Sequence, residues 1–206
     1  MNPRAEHRTA AACSRGSCVG CSLEGRLLCQ HTGRDLLDFA LLAIAYLIPF
    51  FAGMMLGGYS AALVVWLLLA AIFFLYVVAL VLCRHCPHYA EEGITLRCHA
   101  NYGLPKIPPF DPRPLNRVEK AVFLAFASVL GLYYLPFFLL SAQWLLLLIT
   151  SWAMLTWVWT LMRTQCTRCY HLSCPLNRVP DEVRQQFFDH YPAFREAWVQ
   201  PNRPVE

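Results

Sequence analysis

Two long stretches of this chain carry no charged residue. The first runs from Phe39 to Cys83 and the second from Ala121 to Met162, 45 and 42 residues respectively. Both are continuously apolar and neither alternates with a period of two, which predicts helices rather than barrel strands. Each is about twice the ~20 residues that cross a bilayer once, so each predicts a helical hairpin. The first breaks at Gly57-Gly58-Tyr59-Ser60 and the second at Ser141-Ala142-Gln143. The expected spans are 37–56, 61–82, 121–140 and 143–162.

The pattern divides the chain into five segments. They are an N-terminal Cys-rich segment (1–36), a first transmembrane hairpin (37–82), a Cys/His loop (83–120), a second hairpin (121–162) and a Cys-rich tail (163–206). The predicted fold class is an all-α membrane protein. Four transmembrane helices form two repeated hairpins above a small, metal-stapled, Cys-rich cytoplasmic cap.

Composition agrees with this reading. Of 206 residues 57% are hydrophobic and 15% are charged, against a usual charged share of about 25%. All 17 lysines and arginines lie outside the hairpins and their tips. Positive charge marks the cytoplasmic side, so both termini and the central loop are expected in the cytoplasm, with the protein multi-pass in the inner membrane. The bilayer is the expected partner, joined by a membrane-complex partner or a second copy. Acidic residues are interspersed with the basic ones and no basic stripe appears, which argues against nucleic acid. The charge-free stretches also lack histidine, so a proton or ion pathway is not expected.

The halves resemble one another. Tyr46-Leu47-Ile48-Pro49-Phe50-Phe51 recurs as Tyr134-Leu135-Pro136-Phe137-Phe138, less one residue, and each hairpin ends in a Cys-x-x-Cys. Pro49 and Pro136 are expected to kink their helices at matching depths. Gly53 and Gly57 form a GxxxG that permits close helix approach.

The ten cysteines carry the candidate chemistry. Cys13, Cys18, Cys21 and Cys29 form one group. Cys83, Cys86 and Cys98 form a second, and Cys166, Cys169 and Cys174 a third. In a reducing compartment, paired Cys-x-x-Cys turns read as metal ligands, because four thiolates suit tetrahedral zinc, iron or an iron–sulfur cluster. Two arrangements fit the spacing. Either Cys83, Cys86, Cys166 and Cys169 close one site, with Cys98 and Cys174 joining histidines or the N-terminal group, or each half closes its own with three cysteines and one histidine. Segments this short seldom hold a core unaided, which also favours a metal cross-link. His85, His88, His99 and His171 are expected mainly outside the ligand set. Pro180-Asp181 predicts a helix start, and Val183, Phe187, Phe188 and Tyr191 would give that helix an apolar face.

Cys83-Arg-His-Cys-Pro-His-Tyr-Ala-Glu-Glu-Gly93, Arg97-Cys-His-Ala-Asn-Tyr-Gly103 and the segment from Cys166 to Pro180 together resemble a family of small four-helix, Cys-rich prokaryotic membrane proteins. That resemblance implies topology over most of the chain and no chemistry. The Cys86-Pro87 and Cys174-Pro175 pairs at helix ends are also similar to those of membrane-bound ferredoxin-like subunits linked to the quinol pool. There the usual motif is Cys-x-x-x-Cys-Pro, and the likeness implies iron–sulfur electron transfer. Three functions stay open on these grounds. They are a zinc-stapled scaffold or sensor, an iron–sulfur electron carrier, and a thiol redox enzyme.

Overall fold

A computed structural model describes residues 20–29, 33–91, 93–96, 98 and 101–199. Cys13, Cys18 and His99 lie outside the described residues. Among the described residues there is no β-strand, only an isolated bridge between Thr95 and Pro105.

Four helices are long and apolar enough to cross a membrane: Gly33–Leu56, Ser60–His85, Arg117–Leu140 and Trp144–Thr164. The first is α1. The second, α2, passes through a π-helical turn at Phe73–Val77 and ends in a 3-10 turn at Cys83–His85. A single short turn of helix, α3, follows at Pro87–Ala90. The third is interrupted at Tyr133 and is described as α4 (Arg117–Leu132) and α5 (Tyr134–Leu140). The fourth is α6 (Trp144–Thr164). Two shorter helices close the described chain, α7 (Asp181–His190) and α8 (Pro192–Val199).

The long helices start or end a few residues outside the expected spans, because polar residues at their ends continue the helical backbone. Asn116 shows how. Its side chain accepts from the Glu119 N–H while Glu119 accepts from the Asn116 N–H, both at 2.8 Å. This capping box starts α4 at Arg117. The Asn-x-x-Glu pattern was readable in the sequence and defines the helix start better than charge does.

The two prolines behave differently. α1 runs through Pro49 without interruption, whereas the third long helix breaks at Tyr133, three residues before Pro136. Carbonyls in the turn before such a break need donors. The first hairpin supplies them. Trp66 Nε1 donates to the Leu130 carbonyl at 2.9 Å and Tyr46 Oη donates to the Gly131 carbonyl at 3.2 Å. Trp66→Phe keeps most of the packing and removes one donor. It is expected to cost about 1–2 kcal/mol, read as a lower thermal midpoint in detergent. An unchanged midpoint would mean the Leu130 carbonyl is satisfied without Trp66.

Aromatic rings fill the centre. Tyr46, Phe50, Tyr134 and Phe138 are all buried. The Tyr46 and Tyr134 rings meet edge to face at 6.2 Å, and Phe50 sits 4.7 Å from Trp66. The outward faces are apolar as well. Leu56, Leu140, Leu145 and Trp152 are each more than 70% exposed, an arrangement suited to lipid contact and costly in water. The hairpin tips lie together: the Tyr59 ring is 5.0 Å from that of Phe137. The cysteine-bearing segments lie at the opposite ends of these helices.

A second buried cluster stands apart from the first. Val183, Phe187 and Phe188 of α7 and Phe194 of α8 pack with Leu23, Leu27, Ala90, Tyr170 and Leu172. The apolar face expected on the tail helix is therefore present, and it is covered by the segments on either side of the hairpins.

Candidate thiol site

The Cys-x-x-Cys turn that closes each hairpin lies at a helix end, and local hydrogen bonds set both. In the first, the Cys86 N–H donates to the Cys83 carbonyl at 3.0 Å and the Tyr89 N–H donates to the Cys86 carbonyl at 2.9 Å. Pro87 opens α3 immediately after, where its missing N–H costs nothing. Both thiols are buried. In the second, the Cys166 N–H donates to the Leu161 carbonyl and its own carbonyl accepts from Arg178, each at 2.9 Å. Asn177 Nδ2 donates to the carbonyls of Cys169 and His171, both at 3.0 Å, and so clamps the turn.

The central loop folds back to add a third strand of chain. Leu96 donates to the Leu104 carbonyl at 2.7 Å and Gly103 donates to that of Leu96 at 2.9 Å. Gly103 has φ of 86°, a conformation that glycine adopts without strain. The loop brings Cys98 and Asn101 over Cys83. The Cys98 thiol stands within hydrogen-bonding reach of Cys83, and Asn101 Nδ2 donates to Cys83 Sγ at 3.3 Å. Asn101 is buried, and nothing in the motif spacing marked it as part of the site.

One imidazole ties the halves together. His171 Nε2 lies 2.9 Å from the Leu82 carbonyl, the residue before Cys83. That carbonyl can only accept, so Nε2 carries the hydrogen. Burial holds His171 well below the usual imidazole range, at about 4, and it is the neutral ring that makes this bond. His85 Nδ1 lies 3.0 Å from the Asp111 carbonyl and His88 Nδ1 lies 2.6 Å from Glu91 Oε1. Each of these histidines makes a hydrogen bond within the chain.

A polar network braces the same end. Arg84 pairs with Asp111 at 3.0 Å, and Arg113 pairs with Asp111 at 3.0 Å and with Glu119 at 2.6 Å. The extended, proline-rich run from Pro105 to Pro114 is thereby held against the start of α4. The charges are partly buried and share partners, a geometry worth more than an isolated surface pair.

Cys83, Cys86, Cys98, Cys166, Cys169 and Cys174 line one cavity of about 410 Å³. Cys86 lies close enough to Cys169 and Cys98 for their charges to interact, as does Cys169 with Cys174, Cys166 and Cys98. Thus the thiols of both hairpins converge. Cys98 stands next to Cys83 and Cys86 within the first half, and Cys86 stands next to Cys169 across the halves, so these contacts single out neither sequence arrangement. Among the described residues, no three Cys, His, Asp or Glu side chains stand in a geometry that could hold a metal ion. Cys21 and Cys29 do not line the cavity. Cys29 is buried in the second cluster and Cys21 packs against it. The Leu28 N–H donates to the Arg168 carbonyl at 2.8 Å, which lays this segment beside Cys169.

Cys21, Cys83, Cys86, Cys166, Cys169 and Cys174 are not in disulfides. Burial pushes the Cys86, Cys166 and Cys169 thiols up, and that of Cys174 up to about 11. Arg178 offsets the rise at Cys166. A thiol-exchange nucleophile needs the reverse, a depressed pKa in an accessible position.

No protein family, curated protein or solved structure matches this chain. The class that its own geometry defines is an all-helical chain whose four apolar helices are compatible with a multi-pass membrane protein.

Proposed function

We propose that this is a multi-pass inner-membrane protein that binds a thiophilic metal between its two hairpins, as a structural scaffold or sensor subunit. The observation that carries the reading is the convergence of six cysteines, drawn from two separate chain segments, on one cavity. Thiols buried together without a cation are neutral and weakly satisfied. A tetrahedral ion would draw four of them into its shell and stabilise them as thiolates. Cys86 and Cys169 are the central ligands, joined by members of the set Cys83, Cys98, Cys166 and Cys174. Zinc is the metal favoured, because a closed site under an apolar bundle suits a structural ion. Cys13, Cys18, Cys21 and Cys29 would form or complete a second site. Two repeated hairpins bring the paired turns together, and the metal staples the short segments into one cap.

Orientation follows from charge. The hairpin tips have no lysine or arginine and meet at one end, while the described cysteines and basic residues lie toward the other. The positive-inside rule places that end, and both termini, in the cytoplasm.

Metal analysis of protein purified anaerobically in detergent tests the reading, together with a Cys86→Ser/Cys169→Ser variant. Stoichiometric zinc in the wild type, mostly lost in the variant, is the expected outcome. Iron with acid-labile sulfide would keep the site and replace the scaffold reading with electron transfer. A metal-free wild type, or a variant that retains its metal, would overturn the proposal.

A further inference from the structure

The half of the bundle nearer the cysteines is hollow. The cavity that meets the thiols continues between all four long helices, past Phe39 and Ala43 of α1, Phe73 and Phe74 of α2, Ala127 of α4 and Val158 of α6. It reaches the layer where Tyr46 and Trp66 donate to the α4 carbonyls. Beyond that layer the same four helices are closed. Phe50, Met54 and Phe138 are fully buried there and none of them lines the cavity. One bundle thus has a packed half and an open half.

The open half cannot be filled well by water. A buried water needs two to four polar partners, and the helical walls are alkyl and aromatic. Left empty, those walls would forfeit their dispersion contacts. The volume, about 410 Å³, lies within the range of sites that take a small organic ligand. A second feature points to the same place. α2 departs from α geometry for one π turn at Phe73–Val77, where Phe73 and Phe74 line the cavity. No proline or glycine accounts for the turn, and π turns recur at functional sites. It presents Phe73 to Phe123 with the rings stacked at 5.9 Å.

We propose that this cavity binds the hydrocarbon chain of an amphiphile, its tail between Phe73 and Trp157 and its polar head at the thiol end beside His171 and Gln165. Most of the cavity's polar groups stand at the thiol end, which orients the guest; in the helical part Tyr46 and Trp66 are committed to α4 carbonyls and the Trp157 indole N–H remains. The inference rests on the shape of the bundle and holds with or without a metal.

The test uses the full chain in detergent and a diazirine-bearing palmitate analogue. Photolysis is expected to label peptides covering residues 121–131 and 154–162. Ala127→Phe and, separately, Ala43→Phe fill the cavity. Each should reduce that labelling at least about tenfold, a change of roughly 1.4 kcal/mol in binding, while the thermal midpoint holds or rises. Competition then identifies the source of the chain. Displacement by unlabelled palmitate assigns an acyl lipid, and displacement by decylubiquinone alone assigns an isoprenoid quinone. Labelling confined to outward residues such as Leu145, Leu148 and Trp152 would overturn the proposal, as would undiminished labelling in folded variants. Should both variants fail to fold, the position of the label in the wild type decides by the same criterion.

Discussion

Gly53→Ala is expected to destabilise the bundle by about 1–3 kcal/mol, the usual cost of forcing one extra methyl into a closed core. The Phe138 ring lies directly on Gly53, so a Cβ there would overlap its Cζ and both Cε atoms. Phe138 cannot yield easily. It is fully buried and packs edge to face on Tyr134 at 5.4 Å. The contact joins α1 of one hairpin to α5 of the other, so the loss should appear as weakened association of the hairpins. Phe138→Leu introduced beside Gly53→Ala should restore part of the stability, with a coupling of about 0.5–3 kcal/mol in a double-mutant cycle. Gly33→Ala is the control, since a Cβ at Gly33 meets nothing within 4 Å. Equal midpoints for Gly53→Ala and Gly33→Ala would show that the ring does not sit where the structure places it.

The larger loss is expected at the other cluster. Phe187→Ala should cost about 3–5 kcal/mol, the range for removing a buried phenylalanine. Phe187 is fully buried, and its ring meets those of Tyr170 at 5.4 Å and Phe194 at 5.6 Å. Tyr170 lies between Cys169 and His171, so loosening this cluster also frees the turn that carries them. Limited proteolysis should cut the variant between residues 170 and 191 under conditions that spare the wild type. The four long helices should retain their helicity, because their own packing does not involve Phe187. A cleavage pattern identical to the wild type would mean that α7 is not docked through this residue.

The contrast between these residues shows what could be read in advance. Phe187 was legible because its helix alternates apolar and polar residues with a period near 3.6, and Pro180-Asp181 announces its start. Gly53 was legible as a place of close approach, yet its partner was not. The GxxxG suggested one helix resting on another, whereas the occupant is a ring from Phe138, 85 positions further along the chain. The π turn at Phe73–Val77 had no signal at all. Its residues are ordinary span residues, and only the packing around them selects that geometry. Asn101 stood in the Arg97–Gly103 run but nothing marked it as a site residue. It lies outside the Cys-x-x-Cys pairs and reaches Cys83 only because the loop from Thr95 to Pro105 folds back.

Hydropathy and the absence of charge determined by themselves that this chain forms four apolar helices. A polar backbone in lipid must satisfy itself within each segment, and that requirement depends on local composition alone. The cysteine spacing likewise determined where thiol pairs would occur along the chain. Which thiols meet was decided only by the tertiary structure. Cys98 reaches Cys83, and Cys86 faces Cys169, through long-range contacts such as the His171 bond to the Leu82 carbonyl. The hollow half of the bundle was decided there too, because a cavity is a difference in volume between facing helices, and no single helix carries that information.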